Sequence, residues 1–266
     1  MTVSALNVDT AREKNHSGST AQVITLPGQA LTEGAGPLSA SCSSCTLNHI
    51  CQGSQLPALL GERSEPAMDP DHKFGNREHL FQKGDDPEAL YIIKCGSVKQ
   101  YTILEDGREQ IVDFYMPGEV VGLDALENGT HNTSAVVMER TTLCIIPLVR
   151  LEQHMPGQYY YWLYKLFSLE LLRKQHTLAL AMKKDAEVKL AGFLIDLSQR
   201  FSARGYSSTC FNLSMRRREI GSYLGIATET VSRTFTHFQE SGLLQVERSY
   251  IRIHNITELE RLAEFG

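Results

Sequence analysis

The sequence predicts an α+β fold: an antiparallel β-roll, then one long helix, then a helix-turn-helix with a β-hairpin wing. Three observations carry that reading. Short runs of β-branched and aromatic residues alternate with glycine turns over residues 79–147. No glycine or proline interrupts residues 158–191. Around Gly225, apolar and polar positions separate onto opposite faces of two successive helices.

Residues 1–41 mix Ser, Thr, Gly, Asn and Pro without a sustained helix or strand period, and read as a flexible lead-in. A cysteine-rich segment and a polar stretch broken by Pro57, Pro66 and Pro70 run on to about Asn76. The strands of the roll are then expected at Tyr91 to Ile93, Val98 to Ile103, Gln110 to Tyr115, Val120-Val121, Ala135 to Val137 and Leu143 to Ile146. Gly84-Asp85-Asp86, Cys95-Gly96-Ser97, Glu105-Asp106-Gly107, Met116-Pro117-Gly118 and Asn128-Gly129 supply the turns. Regular strands on glycine turns suggest a roll or barrel.

Trp162, Leu163, Leu166, Phe167, Leu171, Leu172, Leu178 and Leu180 recur near helical spacing, which predicts a helix from about Gln158 to Met182. At 1.5 Å per residue it is ~38 Å long, more than a compact sheet domain can cover. Pairing with a second copy is one physical solution; packing on its own chain is the other. A second helix is expected at Ala186 to Phe201 and a short strand at Cys210 to Leu213. Ser214 to Leu244 reads as helical with a break at Gly225, Gln245 to Ile253 as a hairpin or wing, and the terminus as a short acidic helix.

In the helix pair, Ile220 and Leu224 share one face, Gly225 makes the turn and Ile226 fills the angle. Val231, Phe235 and Phe238 form the apolar face of the second helix, while Glu229, Ser232, Arg233 and Thr236 fall opposite. That polar face suits a major groove: arginine bonds guanine O6 and N7, glutamate accepts from the cytosine amino group, and serine bonds several base edges. Arg216, Arg217 and Arg218 stand where phosphate contacts would set the register. A plain αα-hairpin with a solvated face shares this pattern. The expected N-cap, Ala227, has no side-chain acceptor, and Thr228 offers one a residue later.

Composition bounds the function. With 266 residues, two domains are the natural expectation, and 42% apolar and 21% charged residues read as soluble and globular. No apolar run is long enough for a membrane span and the N-terminus lacks a secretory pattern, so a cytoplasmic protein is expected. The net charge of −5 argues against a nonspecific polyanion binder. Residues 185–256 nevertheless carry 9 Lys/Arg against 7 Asp/Glu, leaving room for a local basic face. No nucleophile elbow, Walker loop or paired-carboxylate pattern supports an enzyme.

Of six cysteines, Cys42, Cys45 and Cys51 crowd together as Cys42-x2-Cys45-x5-Cys51. In a reducing compartment such crowding points to a metal or cluster site. A 4Fe-4S cube needs a fourth thiolate, and spacing alone does not choose among Cys95, Cys144 and Cys210. A zinc site and unligated redox thiols remain alternatives. Cys95 and Cys210 read best as small packed residues, and His49 and His131 as packed or solvated ones.

The motifs Glu229-x-x-Ser232-Arg233, Ile220-Gly221-x-Tyr223-Leu224-Gly225, Phe114-x-x-Pro117-Gly118-Glu119-Val120-Val121-Gly122 and Cys144-x-x-Pro147 together resemble the CRP/FNR superfamily of bacterial transcription regulators, in its FNR branch. The resemblance runs from about Ser41 to the C-terminus. It implies a flexible extension at 1–41, a cluster-binding loop and cyclic-nucleotide-binding-like sensory β-roll at 42–156, a dimerisation helix at 157–184 and a winged helix-turn-helix at 185–266. It implies a 4Fe-4S cluster on Cys42, Cys45, Cys51 and Cys144. It also implies base contacts by Glu229, Ser232 and Arg233 to a palindrome close to TTGAT, a four-base spacer and ATCAA.

Weaker backbone contacts are expected from Arg216, Arg217, Arg218, Thr228 and Thr230, and a homodimer seam along Leu163, Leu166, Glu170, Arg173 and Thr177. By the same resemblance, oxygen dismantles the cluster, releases its loop and disfavours the DNA-binding dimer. Thr102 to Arg108 resembles the family surface that touches RNA polymerase. Cyclic-nucleotide binding is not expected, because Gly122-Leu123-Asp124-Ala125-Leu126 and His131-Asn132-Thr133-Ser134 lack the arginine that grips the cyclic phosphate. A haem sensor would have no use for the cysteine group.

Overall fold

Short runs of β-branched and aromatic residues, buried along much of their length, build two four-stranded antiparallel sheets that enclose one apolar interior. The computed structural model describes residues 69–149 and 157–264. The strands are β1 (Asp69–Phe74), β2 (His79–Phe81), β3 (Ala89–Cys95), β4 (Val98–Ile103), β5 (Glu109–Tyr115), β6 (Val120–Val121), β7 (Ser134–Val137) and β8 (Thr141–Pro147). They pair in the orders β1-β8-β3-β6 and β2-β7-β4-β5. Phe81, Tyr91, Ile93, Val98, Tyr115, Val121, Ala135, Val137 and Leu143 meet between them. The lead-in, Cys42, Cys45, Cys51 and His49 lie outside the described residues.

The pattern missed β1. Its sequence, Asp69-Pro70-Asp71-His72-Lys73-Phe74, is too polar to read as a strand. It forms because it pairs with β8 at the sheet edge, where a proline costs no ladder bond. Cys95, expected to be packed, is exposed, because β3 ends there and turns through Gly96. His131 is packed: its ring stacks on Phe81 at 3.5 Å and its Nδ1 lies 3.2 Å from Asp124.

Helix α1 (Gly157–Met182) follows the roll and α2 (Ala186–Ser202) follows α1 after a three-residue link. Asp185 caps α2 by accepting from the Glu187 amide at 2.9 Å. Then come β9 (Cys210–Asn212), α3 (Arg217–Leu224), α4 (Thr228–Glu240), β10 (Leu244–Glu247), β11 (Tyr250–Ile253) and α5 (Ile256–Glu264). Strands β10, β11 and β9 form an antiparallel wing.

The roll and the helical part share one core. Ile111, Phe114 and Met116 of the roll pack with Leu190, Phe193, Leu194, Ile220, Leu224, Val231, Phe235 and Phe238. Edge strand β5 is covered by α3: the Ile111 amide donates to Ser222 Oγ at 3.0 Å, and Gln110 Nε2 donates to the Ser222 carbonyl at 2.8 Å. Covering an edge in this way satisfies its ladder groups and blocks pairing with another chain. Lys99 of β4 adds an ion pair to Glu219 at 3.0 Å.

Candidate functional site

The turn between α3 and α4 is built on two glycines. Gly225 ends α3 in the left-handed conformation, at φ 66°. Gly221 lets the chain double back: a Cβ there would lie 2.7 Å from the Ile226 carbonyl oxygen. Because that neighbour is backbone, Gly221→Ala forces the two helices apart. We expect a loss of ~1–3 kcal/mol, measured by urea unfolding. The buried Lys189 ammonium donates to the Leu224 carbonyl at 3.1 Å, placing a cation at the C-terminus of α3.

Helix α4 buries Val231, Thr234, Phe235 and Phe238 and exposes Glu229, Ser232, Arg233 and Thr236. The period of 3.6 places these four on one outward stripe. Ser232 Oγ donates to the Thr228 carbonyl at 3.0 Å and Thr236 Oγ1 to the Ser232 carbonyl at 3.2 Å. With their protons so engaged, both hydroxyls present lone pairs outward and act as acceptors. Ala227 is the N-cap and gives no side-chain bond, so Thr228 begins the helix without capping it.

The three arginines before the motif have different surroundings. Arg216 and Arg218 are exposed. Arg217 lies over the Phe235 ring with its guanidinium carbon 3.4 Å from the centroid, and burial pushes its pKa down to about 10. It packs the hydrophobic face as much as it offers charge. Thr228 and Thr230 are half-buried at the start of α4.

Cys144 sits in β8 opposite Ile92 of β3. Leu143 and Ile145 point to the interior of the roll, so Cys144 and Ile146 point to the other face of the sheet, beside Leu90 and Ile92. All four are buried. Among the described residues no group of His, Cys, Asp and Glu is gathered to hold a metal ion. Cys210, in β9, is half-buried at the wing.

Along α1, the expected seam divides. Arg173 pairs with Glu119 at 2.7 Å, Asp113 at 3.1 Å and Glu170 at 2.7 Å, all within the chain. Thr177 Oγ1 lies 2.9 Å from the Tyr223 hydroxyl. Leu163 and Leu166 are half-buried. Glu170, Arg173 and Thr177 thus turn toward the chain's own roll and helices, because buried acids there need counter-charges. The outward face instead carries Tyr164, Phe167, Leu171, Leu178 and Met182, all exposed.

The buried charge cluster around Glu119 was missed by pattern reading. The available signal was Asp113, an acid inside the apolar run Ile111 to Tyr115; it is fully buried. Such an acid requires a buried partner.

Comparison with known proteins places these features. Residues 71–156 match the cyclic nucleotide-binding domain family and residues 188–262 the Crp-like helix-turn-helix domain family. The chain is 38% identical over 220 residues to the transcriptional activator protein FnrA of Stutzerimonas stutzeri, covering 80% of this chain and 88% of that protein. It is 36% identical over 236 residues to the fumarate and nitrate reduction regulatory protein of Escherichia coli K12, covering 86% and 92%. The structure of FixK2 from Bradyrhizobium japonicum superposes with a TM-score of 0.66 at 28% identity, covering 74% of this chain and 98% of that one. The chain is therefore a DNA-binding transcription regulator rather than an enzyme, and it belongs to the FNR branch of the CRP/FNR superfamily.

Proposed function

We propose that the protein is an oxygen-responsive regulator in which a 4Fe-4S cluster on Cys42, Cys45, Cys51 and Cys144 favours a homodimer that binds a TTGAT/ATCAA-type palindrome at low oxygen. The observation that carries the DNA reading is the outward stripe of Glu229, Ser232 and Arg233 on a helix whose opposite face is buried. In that reading Arg233 bonds a guanine edge, Glu229 accepts from a cytosine amino group and Ser232 accepts from a base amino group. Arg216 and Arg218, with the exposed amide end of α4, hold phosphates. Arg217, Thr228 and Thr230 play lesser parts, Arg217 because its guanidinium rests on Phe235.

Of the four cluster thiols, Cys144 lies among the described residues, and its surroundings suit the role. A soft thiolate donor on an apolar sheet face of Leu90, Ile92 and Ile146 is shielded from water. Cys42, Cys45, Cys51 and Cys144 would hold the 4Fe-4S cluster, which when bound would supply oxygen-labile iron–thiolate ligation. Among the described residues no helix is long and apolar enough to cross a membrane, which is compatible with action in the cytoplasm.

The dimer seam follows the exposed apolar face of α1. Tyr164, Phe167, Leu171 and Leu178 are spaced by three, four and seven, the pattern of a paired helix. The remaining seam position is Lys174, held by Asp113 and Glu170. A charge at that place weakens association, so the dimer is poised rather than permanent.

Against a cyclic nucleotide stands the chain's own anion. Asp124 accepts from the Asn132 amide at 3.1 Å, the Thr133 amide at 3.2 Å and the Thr133 hydroxyl at 2.8 Å. These three donors are thereby taken up, and among the described residues no arginine joins them. The turn from Thr102 to Arg108, with exposed Ile103 and Leu104 and an Asp106–Arg108 pair, is the surface offered to RNA polymerase.

Arg233→Ala tests the DNA reading. It should weaken binding to the palindrome by ~1–3 kcal/mol per half-site and leave affinity for unrelated duplex unchanged, measured at one fixed salt concentration. Equal loss on both duplexes would reduce Arg233 to a phosphate contact.

A further inference from the structure

Glu119 stands in the turn between β5 and β6, and its one carboxylate meets three arginines, from α1, α2 and the turn after α2. Its Oε2 accepts from Arg173 Nη1 at 2.7 Å, Arg200 Nη2 at 2.7 Å and the Met116 amide at 2.9 Å. Its Oε1 accepts from Arg200 Nε at 3.0 Å and Arg204 Nη2 at 2.9 Å. Arg173 belongs to α1, Arg200 to α2, and Arg204 to the turn just after α2. The roll, the long helix and the DNA-binding part thus converge on one buried anion.

The surrounding charges balance. Asp113, Glu119, Glu170 and Asp196 face Arg173, Lys174, Arg200 and Arg204, and His176 approaches Asp196 at 3.6 Å from the exposed side. Arg204 is the least compensated: burial and the nearby Arg200 and Arg173 lower its pKa in spite of Glu119. Without Glu119, Arg173 on one side and Arg200 and Arg204 on the other would repel.

The position of this knot gives it leverage. Helix α2 pivots from α1 at residues 183–185, and Arg200 lies fourteen residues beyond its start at Ala186. At 1.5 Å per residue the knot holds the tip of a lever about 21 Å long. Leu180 against Gly192 and Thr177 near Tyr223 act closer to the pivot and resist rotation with less leverage. Together with the shared core and the Ser222 and Glu219 contacts to β5 and β4, the knot at the tip holds the angle between the helix that pairs two copies and the domain that carries α4.

We propose that Glu119, which touches no DNA, is a specificity-determining residue: through Arg173, Arg200 and Arg204 it sets the half-site spacing that the dimer accepts. The inference rests on the reading of the protein as a palindrome-binding dimer. Each base pair added to a spacer moves the second half-site by about 3.4 Å and turns it by roughly 35°. A rigid pair of recognition helices rejects that displacement; a pair on loosened levers follows it.

The test uses full-length protein purified without oxygen and three duplexes: a single TTGAT half-site, the palindrome with a four-base spacer, and the palindrome with a six-base spacer. Dimerisation is checked by sedimentation. The native protein should prefer the four-base palindrome to the six-base one by at least tenfold. Glu119→Gln should keep the native half-site affinity while its preference falls to about threefold or less. Arg204→Gln, which leaves Glu119 paired with Arg173 and Arg200, should relax the preference in the same direction to a smaller degree and guards against poor folding of the first variant. If both variants bind the half-site normally and discriminate spacers as the native protein does, the proposal is overturned. A native protein that bound the four-base palindrome no better than the half-site would remove the palindrome reading, and the proposal with it.

Discussion

Phe114→Ala should lower the stability of the whole chain by ~3–5 kcal/mol, the range for removing a fully buried phenylalanine. Phe114 is fully buried, and its ring centroid lies 5.1 Å from that of Tyr223 and 6.3 Å from that of Phe193. Those three rings come from β5, α3 and α2, and the Tyr223 hydroxyl reaches Thr177 of α1. The Phe114 carbonyl also accepts from Arg200 Nη2 at 2.6 Å. Truncation therefore opens a cavity where the roll meets the DNA-binding part. In urea, the far-ultraviolet signal of the helices and the near-ultraviolet signal of the aromatics should move together in native protein and shift together in the variant. Separate transitions would show that the two parts do not depend on one core.

The Glu119 cluster should make the fold sensitive to acid. Burial works against the Glu119 charge, but Arg200, Arg173 and Arg204 outweigh it and hold its pKa down at about 2. A carboxyl depressed on folding adds stability above its unfolded pKa, and that stability is lost as pH falls toward the folded value. The window therefore runs from about pH 4.5 down to about pH 2. A shift of that size corresponds to about 3 kcal/mol. Glu119→Gln should be less stable than native protein by about that amount at pH 6, and the two stability curves should converge as pH approaches 2–3. Urea titrations at stepped pH measure this; parallel curves would contradict the assigned role of the arginines.

Much of the architecture was legible because it depends on local pattern. Strand β4 follows from a β-branched and aromatic run between glycine turns, and α1 from an unbroken helical period. The helix-turn-helix was readable from Gly225, Ile226 and the two faces of α4, since a tight backbone turn leaves few residue choices; the close approach at Gly221 emerged only in the fold. β1 was not readable, because pairing with β8 rather than its own composition makes it a strand. The charge cluster was also hidden. Glu119 and Arg200 lie 81 positions apart, and no local period links them. The direction of Arg173 escaped for a related reason: a charged residue on a long helix looks like a seam position until its buried acids are in view. Arg217 read as a phosphate contact, yet the neighbouring Phe235 ring captures its guanidinium.

The thiols define the sensing claim, and chemical analysis addresses it most directly. Protein isolated without oxygen should contain about four iron and four sulfide per chain, absorb visible light without a Soret band, and bind the TTGAT/ATCAA palindrome. Exposure to air should remove the iron and lower palindrome affinity together, and Cys144→Ser should remove both before exposure. Colourless, iron-free protein that binds the palindrome equally well before and after air would contradict the account.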